Sequence, residues 1–444
     1  MDIPLIKVGI MAEREILFTL TGDYFFGEQS VIVTGLCKAI KTESAIRFEA
    51  GTQSWICGDS LKLIPVDPQT ATFILPNVTI GLDFHWQRKE NQEFKGELSF
   101  VSDGDKIHAV NILSIEDYLL SVISSEMSAT SSPEFLKAHA VISRSWLLAQ
   151  VQKNKFLQTG NKNYQTTFYT DDELVRWYDR EDHLLFDVCA DDHCQRYQGV
   201  TRAASPLIED AVFQSSGEVL VFNGTICDAR FSKCCGGVTE LFENVWEPVN
   251  HPYLQCIADK SEHPQKFIPD LTIEQNAGRW ILGNPGANCN TTDKKVLKQV
   301  LNDYDQETND FFRWKVVYSQ EELGELVKLR SGIDFGEIVE LIPLKRGPSG
   351  RLIQLKIVGT LRTMTIGKEL EIRKTLSKTH LYSSAFIIEK HEEAGNVKFI
   401  LHGAGWGHGV GLCQIGAAVM GEKGDSYAEI LFHYFPGAKI EKMY

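Results

Sequence analysis

The segment SIEDYLLSVISSEMSATSSPEFLKAHAVISR, residues 114–144, decides how the fold is interpreted, because the sequence pattern changes here from strands to helices. Ser114 precedes Asp117 by three residues, and apolar residues at helical spacing follow. Such a polar residue at the start of an apolar helical repeat is typical of a helix N-terminus. The pattern predicts a first helix that begins after Ser114 and ends near Glu126.

A second helix is predicted to follow almost at once. Ser131 and Glu134 have the spacing of a capping box, and Pro133 falls in the first turn. Apolar residues then recur at helical intervals, at Leu136, Ala140, Leu147 and Val151. The two helices should therefore form a pair joined by a short connection.

The flanking sequence is rich in predicted strands. From residue 6 to about residue 103, short β-favouring runs alternate with Gly, Asp and Asn. After the second helix, residues 154–198 are polar and lack a regular period, which predicts a long loop. Strand-like runs resume at 211–213, 219–222 and 352–358.

These patterns predict an α+β protein with two domains. A β-rich N-terminal domain would cover residues 1–103. A mixed α+β domain with a central groove would cover residues 104–444, including a long loop at 154–198 and a β-rich subdomain within 261–385.

The composition argues against several classes of function. The chain has 444 residues, of which 43% are hydrophobic and 23% charged, as in soluble globular proteins. Its net charge of -14 argues against nonspecific attraction to nucleic acid or to anionic membranes. No apolar run is long enough for a transmembrane segment, and residues 1–4 do not resemble a signal peptide. The sequence thus predicts a processed or cytoplasmic chain.

Glu126 is the first candidate for chemistry. It follows apolar residues at the end of the first predicted helix, where burial and the negative end of the helix dipole both favour a protonated carboxyl. Such a carboxyl can donate a proton to a leaving oxygen, as cleavage of a glycosidic bond requires. The alternative is a glutamate at a helix end that points into water.

A glycine-rich run near the end of the chain is the second candidate. Every second residue from Gly403 to Gly411 is glycine, and Trp406, His408 and Gln414 supply an aromatic face and polar groups. Aromatic faces stack on sugar rings, so this run could bind a polysaccharide. It could equally be a tight loop that packs two elements together, with His408 satisfied in the core.

The third candidate is a metal site in the long loop. His183, Cys189 and Cys194, with His193 beside the last thiol, offer the imidazole and thiolate ligands that Zn²⁺ prefers. The alternative is a pair of free cysteines or a disulfide that closes a short loop. A further pair of adjacent cysteines, within residues 231–240, precedes Gly236 and Gly237 and is best interpreted as a hairpin.

Taken in order, these segments resemble the SpoIID/LytB family of stage II sporulation protein D and its relatives, from about residue 104 to the end. The segments that carry the resemblance are 118–127, 136–144, 219–224, 235–240, 245–246, 252–254, 349–351, 373–376, 383–386 and 405–417. Four positions depart from the family pattern. Cys234 and Cys235 stand where serine is common, as does Cys413, and His139 replaces a frequent glutamine.

The resemblance implies a lytic transglycosylase that cleaves peptidoglycan glycan strands stripped of stem peptides, in the cell envelope, with Glu126 as catalyst. It also implies a structural zinc bound by His183, Cys189 and Cys194, with His193 or water as the fourth ligand. The residues expected to bind or support the sugar are Ser125, Arg144, Gly236, Gly237, Trp406, His408 and Gln414.

Two other functions stay open at this point. Some members of the family are described as enhancers of a cell-wall amidase, so the groove could hold glycan without cleaving it. A zinc hydrolase that uses the His183 cluster is a third hypothesis.

Overall fold

The computed structural model describes residues 3–27, 31–81, 87–128, 130–157, 165–177, 183–191, 193–201, 205–260, 268–300 and 310–444. Within these residues the chain has the predicted α+β fold, with a β-rich N-terminal region.

A large, mostly antiparallel sheet forms the first part of the chain. Its strands are β1 Leu5–Glu13, β2 Glu15–Phe26, β3 Val31–Lys41, β4 Ile46–Ala50, β5 Gln53–Cys57, β6 Ser60–Pro65, β7 Thr72–Ile80, β8 Arg88–Lys95, β9 Glu97–Asp103 and β10 Lys106–Ser114. In β6, buried and exposed residues alternate strictly, so one face of the strand packs on the core. The prediction of strands in this region is confirmed.

The large sheet extends beyond residue 103. Strand β10 pairs with both β9 and β1, and the short strand Val188–Cys189 adds to β1 in parallel. The predicted boundary between residues 103 and 104 therefore falls between two paired strands, and the division into domains stays a prediction.

Helix α1, Ile115–Glu126, confirms the first predicted helix. The Ser114 hydroxyl accepts a hydrogen bond from the Asp117 N–H at 3.1 Å, as a capping residue does. The backbone leaves the helix at Met127, which is extended. Glu126 is consequently the last helical residue.

Helix α2, Pro133–Leu157, confirms the second helix, but its predicted capping residue was wrong by one position. The Ser131 hydroxyl donates instead to the carbonyl of Gln299 at 3.1 Å. Ser132 accepts from the Phe135 N–H at 3.4 Å and thus occupies the capping position. The helix also continues past residue 154, into the segment predicted as a loop.

One further prediction, the strand at residues 211–213, is wrong. Residues 211–213, predicted as a strand, lie in helix α3, which begins at Pro206 because Ser205 caps it and proline is favoured in a first turn. The long loop contains β11 Thr167–Tyr169, β12 Glu173–Arg176 and β13 Val188–Cys189, and helix α3 is Pro206–Gln214.

The second half of the chain mixes short helices with small sheets. Its elements are β14 Glu218–Phe222, β15 Thr225–Ile226, β16 Phe231–Ser232, α4 Glu274–Leu282, α5 Lys294–Val300, β17 Arg313–Ser319, α6 Gln320–Ser331, β18 Ile338–Arg346, β19 Leu352–Gly359, β20 Thr363–Gly367, α7 Glu369–Thr375, β21 Phe386–Glu393, β22 Asn396–Ala404, β23 Leu412–Cys413, α8 Gln414–Lys423, α9 Tyr427–Tyr434 and β24 Lys439–Lys442. The strands predicted at 219–222 and 352–358 are confirmed as β14 and β19.

The two largest apolar cores among the described residues organise these elements. The larger core joins the first sheet to α1, α2, α8 and α9. The smaller one lies mainly among β17, α6 and β18 to β22. In the part of the chain that the structure describes, no helix combines the length and the apolar character needed to cross a membrane.

A buried ion pair fixes α1 against α2. The Arg144 guanidinium, which is fully buried, donates to both carboxylate oxygens of Glu116 at 3.0 and 2.7 Å and to the Glu218 carbonyl at 3.0 Å. Glu116 also accepts from the Tyr444 hydroxyl. Since Glu116 lies in the first turn of α1, Arg144 sits at the opposite end of that helix from Glu126 and does not line the groove. Arg144 thus anchors the helix that carries Glu126, and its predicted role as a substrate-binding or supporting residue stays a prediction.

We expect Glu116→Ala to lower the free energy of unfolding by about 3–5 kcal/mol, because it leaves the buried Arg144 charge without its partner. Urea unfolding followed by circular dichroism measures the change. Glu15→Ala is the matched control, since Glu15 pairs with Lys38 at an exposed site and its loss should cost less than about 1 kcal/mol. Equal losses in the two variants would contradict this interpretation.

Candidate functional site

A cavity of about 1800 Å³ runs between the long loop, the end of α1 and the glycine-rich run. Glu126, Trp406, His408 and Gln414 all line it, although nearly 300 residues separate the first from the others. The structure thus brings together four of the residues singled out in the sequence.

Glu126 lies half-buried in the wall of this cavity. Its neighbour Ser125 is buried on the side of α1 that packs on the core, since successive helical residues lie about 100° apart around the helix axis. Among the residues that the structure describes, no hydrogen bond or ion pair to the Glu126 carboxyl is found. The carboxyl is accessible from the cavity, and its catalytic role stays a prediction.

Trp406 belongs to an aromatic group at the cavity wall. Its ring stacks on Phe311 at 4.7 Å between centroids and lies 4.5 Å from the ring of Tyr382. The backbone N–H of Trp406 donates to the Cys234 carbonyl at 2.8 Å, and the backbone N–H of Cys234 donates to the Trp406 carbonyl at 3.0 Å. Rings held on two sides in this way present a rigid apolar face.

His408 is held as a neutral imidazole. Its Nδ1 accepts a hydrogen bond from the Val410 N–H at 3.0 Å, so the proton is on Nε2. The ring of Trp246 packs against the imidazole at a steep angle, with 5.1 Å between the ring centroids. Burial, reinforced by the charge of Arg230, holds the pKa of His408 well below its ordinary value. His408 can therefore donate a hydrogen bond at neutral pH but carries no charge.

Gln414 is fixed by a chain of buried polar groups. Its side-chain amide donates to Nε2 of His139 at 3.1 Å, and Nδ1 of His139 contacts the Ser143 hydroxyl at 3.2 Å. Burial, together with the nearby charge of Lys233, lowers the pKa of His139 to about 3. A neutral His139 can accept from Gln414 and donate to Ser143 at once, so the amide orientation is set.

Gly236 and Gly237 support the site through their backbone and do not line the cavity. Both have positive φ angles, of 79° and 107°. A Cβ atom on Gly236 would lie 2.9 Å from the Gly405 nitrogen, and one on Gly237 would lie 2.9 Å from the ring of Trp280. Glycine is therefore required at both positions by close packing.

The hairpin predicted at 231–240 is wrong. Cys234 bridges to Trp406, Val238 to Ala258 and Glu240 to Val410, so this segment pairs with distant parts of the chain. The glycine-rich run is accordingly both a tight packing element and a cavity wall, which combines the two interpretations offered by the sequence.

The predicted metal ligands in the long loop form a compact cluster. The ligand atoms of His183, Cys189, His193 and Cys194 all lie within 4.8 Å of one another. The Cys194 sulfur is 3.4 Å from Nε2 of His183 and 3.6 Å from Nδ1 of His193, and the Cys189 sulfur is 3.9 Å from the latter atom. These separations are close to the edge of about 3.5 Å that a tetrahedral zinc site has between nitrogen and sulfur. The cysteines are free thiols, and no disulfide closes the loop.

The metal cluster also shapes the cavity, since His183, Cys189 and His193 lie on its lining. Two further lining residues, Trp246 and Tyr382, were not proposed from the sequence as site residues. Trp246 was visible as part of a family segment, but nothing in the local pattern around Tyr382 distinguishes it from a core aromatic residue.

Comparison with known proteins gives matches to two families. Residues 103–222 match the family described as stage II sporulation protein, and residues 240–411 match a domain of unknown function, DUF8618. Stage II sporulation protein D of Bacillus amyloliquefaciens is 24% identical over 335 residues, 76% of this chain and 76% of the relative.

Two other relatives are similar over comparable lengths. An uncharacterized protein of Brachyspira hyodysenteriae is 28% identical over 349 residues, 78% of this chain and 72% of that protein. The amidase enhancer of Bacillus subtilis is 25% identical over 337 residues, 72% of this chain. Those residues make up only 40% of the enhancer.

The buried imidazole of His139 should make folding stability depend on pH. Since its pKa is lowered from 6.5 to about 3, the unfolded chain takes up a proton below pH 6.5 while the folded chain does not, and stability is lost as the pH falls. Between pH 6 and 4 we expect the free energy of unfolding to fall more steeply in the wild type than in His139→Gln, by about 1.4 kcal/mol per pH unit. Urea unfolding at several pH values measures both slopes.

Above pH 7.5 the imidazole is neutral in both states, so the two proteins should show the same slope there. Parallel curves over the whole range would contradict the assignment of His139 as a buried neutral group.

Proposed function

Because the chain belongs to the SpoIID/LytB family, we propose that it acts on cell-wall peptidoglycan as a lytic transglycosylase. The bond cleaved would be the one between N-acetylmuramic acid and N-acetylglucosamine, and the products would carry 1,6-anhydro ends. Glycan strands stripped of stem peptides are the proposed substrate, and the cell envelope is the proposed location. The relatives named stage II sporulation protein D and amidase enhancer support a role at the cell wall.

The single observation that carries this proposal is the position of Glu126. Its carboxyl is half-buried at the end of α1 and lines a cavity that Trp406, His408 and Gln414 also line. A carboxyl beside an aromatic surface and neutral polar groups suits a long sugar chain. The wall also carries Lys233 and Arg196, which could attract the lactyl carboxylate of muramic acid.

The reaction needs only one acid and base. Glu126, protonated, donates its proton to the glycosidic oxygen as the bond from that oxygen to the anomeric carbon breaks. The 6-hydroxyl oxygen of the same muramic acid residue then bonds to the anomeric carbon, and the Glu126 carboxylate takes the hydroxyl proton. No water is consumed, so the paired carboxylates of hydrolytic glycosidases are not required.

The other wall residues would position the sugar. The rigid face of Trp406 suits stacking on a sugar ring. The amide of Gln414 could hydrogen-bond to hydroxyl or acetamido groups. His408, whose ring hydrogen-bonds to the backbone of Val410 and of Phe231, would support the wall without contributing a charge.

For the long loop we propose a structural zinc bound by His183, Cys189, His193 and Cys194. The mixed imidazole and thiolate set and its near-tetrahedral spacing support this assignment. Four protein ligands complete the shell and leave no position for a reactive water, which argues against a zinc hydrolase. The ion would hold one wall of the cavity in place.

A second function is favoured by one relative, the amidase enhancer. In that case the same cavity would bind glycan without cleaving it, and a separate cell-wall amidase would be the partner. The two functions differ in whether Glu126 is needed for product formation.

Replacing Glu126 by Gln should reduce the formation of anhydro products by about 10²–10⁴-fold, because the acid and base is lost while the shape of the side chain is kept. The assay is incubation with amidase-treated sacculi followed by mass spectrometry of the soluble fragments. Glu325→Gln, which changes an exposed glutamate of α6, is the matched control and should retain full activity.

Unchanged product yield in the Glu126→Gln protein would reject the catalytic assignment. A wild-type protein that yields no anhydro ends, but raises the rate of an added amidase, would establish the enhancer function instead.

The zinc proposal predicts that Cys194→Ser and His183→Ala each remove about one zinc ion per chain, because a three-ligand shell binds zinc much more weakly. Elemental analysis of protein purified without a histidine tag measures this. Cys57→Ser, at a half-buried thiol in β5 of the first sheet, serves as control and should keep its metal. Metal content that does not respond to either loop substitution would exclude this ligand set.

A further inference from the structure

Four cysteines that the proposed function does not use converge beneath the cavity. Cys234 and Cys235 follow β16, Cys289 precedes α5, and Cys413 ends β23. All four side chains are buried, with at most 3% of any residue exposed. Long stretches of chain separate three of these positions, so the fold brings the four thiols together.

The thiols contact one another directly. The sulfur atoms of Cys235 and Cys289 are 3.7 Å apart. The Cys413 thiol lies within hydrogen-bonding range of the other three, and Cys289 also contacts Cys234. In a tetrahedral site with metal–sulfur bonds of about 2.3 Å, neighbouring sulfurs are about 3.8 Å apart. The ligand atoms of Cys235, Cys289, Cys413 and Asp259 all lie within 4.8 Å of one another, which is the size of a site for a single metal ion, and the Cys234 thiol contacts Cys289 and Cys413 of this set.

We propose that Cys234, Cys235, Cys289 and Cys413 bind one Zn²⁺ as a closed, structural four-thiolate site. Tetrahedral sulfur ligation suits zinc, and a shell without an open position is typical of structural zinc. This site is separate from the one in the long loop and does not depend on the proposed enzymatic activity.

The surroundings of the cluster match those of bound thiolates. The Cys235 N–H donates to the Cys413 sulfur at 3.2 Å, and the Gly236 backbone hydrogen-bonds to the Cys234 side chain. Donors of this kind stabilise the negative charge that thiolate ligands carry.

Two charged groups flank the sulfurs. The Arg313 guanidinium interacts electrostatically with the thiols of Cys234, Cys235 and Cys289, and it offsets part of the charge left by four thiolates and a divalent ion. Asp259 accepts from the Cys289 N–H at 2.7 Å and from the Tyr434 hydroxyl at 2.6 Å. Both carboxylate oxygens thus have protein donors, and Asp259 orients the ligand Cys289 rather than replacing a thiol.

The site would fix the wall of the cavity. Cys234 forms the backbone bridge to Trp406, and Cys413 directly precedes Gln414 at the start of α8. A metal that joins these two segments to the stretch around Cys289 would restrain both cavity residues without contacting a substrate.

Metal analysis of three variants tests the proposal. Wild-type protein should carry about two zinc ions per chain, and Cys289→Ser and Cys194→Ser about one each, because either change opens one four-ligand shell. Cys37→Ser, at a buried thiol in β3, should match the wild type. The wild type could instead carry about one zinc ion, lost in Cys289→Ser and kept in Cys194→Ser. That result would support this site and reject the loop site.

X-ray absorption at the zinc edge gives a readout that does not require the Cys289→Ser protein to fold. In Cys194→Ser, the remaining zinc should have a shell of sulfur atoms at about 2.3 Å. A shell of nitrogen or oxygen would overturn the proposal. So would zinc content unaffected by Cys289→Ser, or a metal-free protein in which Cys235 and Cys289 resist alkylation as a disulfide.

Discussion

The site depends on the close backbone contact between two segments, 232–240 and 405–411. Hydrogen bonds join Cys234 to Trp406 in both directions, and the Glu240 N–H donates to the Gly409 carbonyl at 2.8 Å. The segments could not approach so closely with ordinary side chains, since a Cβ on Gly405 would lie 2.8 Å from the Cys234 carbonyl oxygen. Trp406 and His408, which alternate with these glycines, line the cavity.

Much of the fold could be predicted from sequence because local signals agree with the final packing. The cap at Ser114 and the apolar repeat that follows define α1, and alternating residues define strands such as β6. Predictions failed where signals compete. Residues 211–213 include a valine and a phenylalanine, which favour strands, but the cap at Ser205 and the proline after it start a helix. At 231–240, a Gly-Gly pair looked like a local turn although its partners are distant.

The site was predictable where chemistry and local position coincide, and not where it depends on long-range packing. Glu126 ends a helix and the loop ligands have metal-binding spacing, so both could be identified, and the structure places them on one cavity. Arg144 looked equally suitable as a site residue. Only the three-dimensional structure shows its guanidinium committed to Glu116 at the far end of α1. The gathering of four thiols likewise required the fold, because their separation in sequence gives no local pattern.

The short strand β13 pairs with β1, and this pairing fixes the position of the long loop against the first sheet. Gly9 faces Cys189 in this pairing, and a Cβ atom on Gly9 would lie 2.5 Å from the ring of Phe186, which in turn packs 4.7 Å from the ring of His183. A methyl group added at residue 9 would therefore displace the Phe186 ring, and this displacement would shift the His183 imidazole in the cavity wall. The first sheet thus helps to position the loop that lines the cavity, and replacing this sheet with another module would change the shape of the cavity.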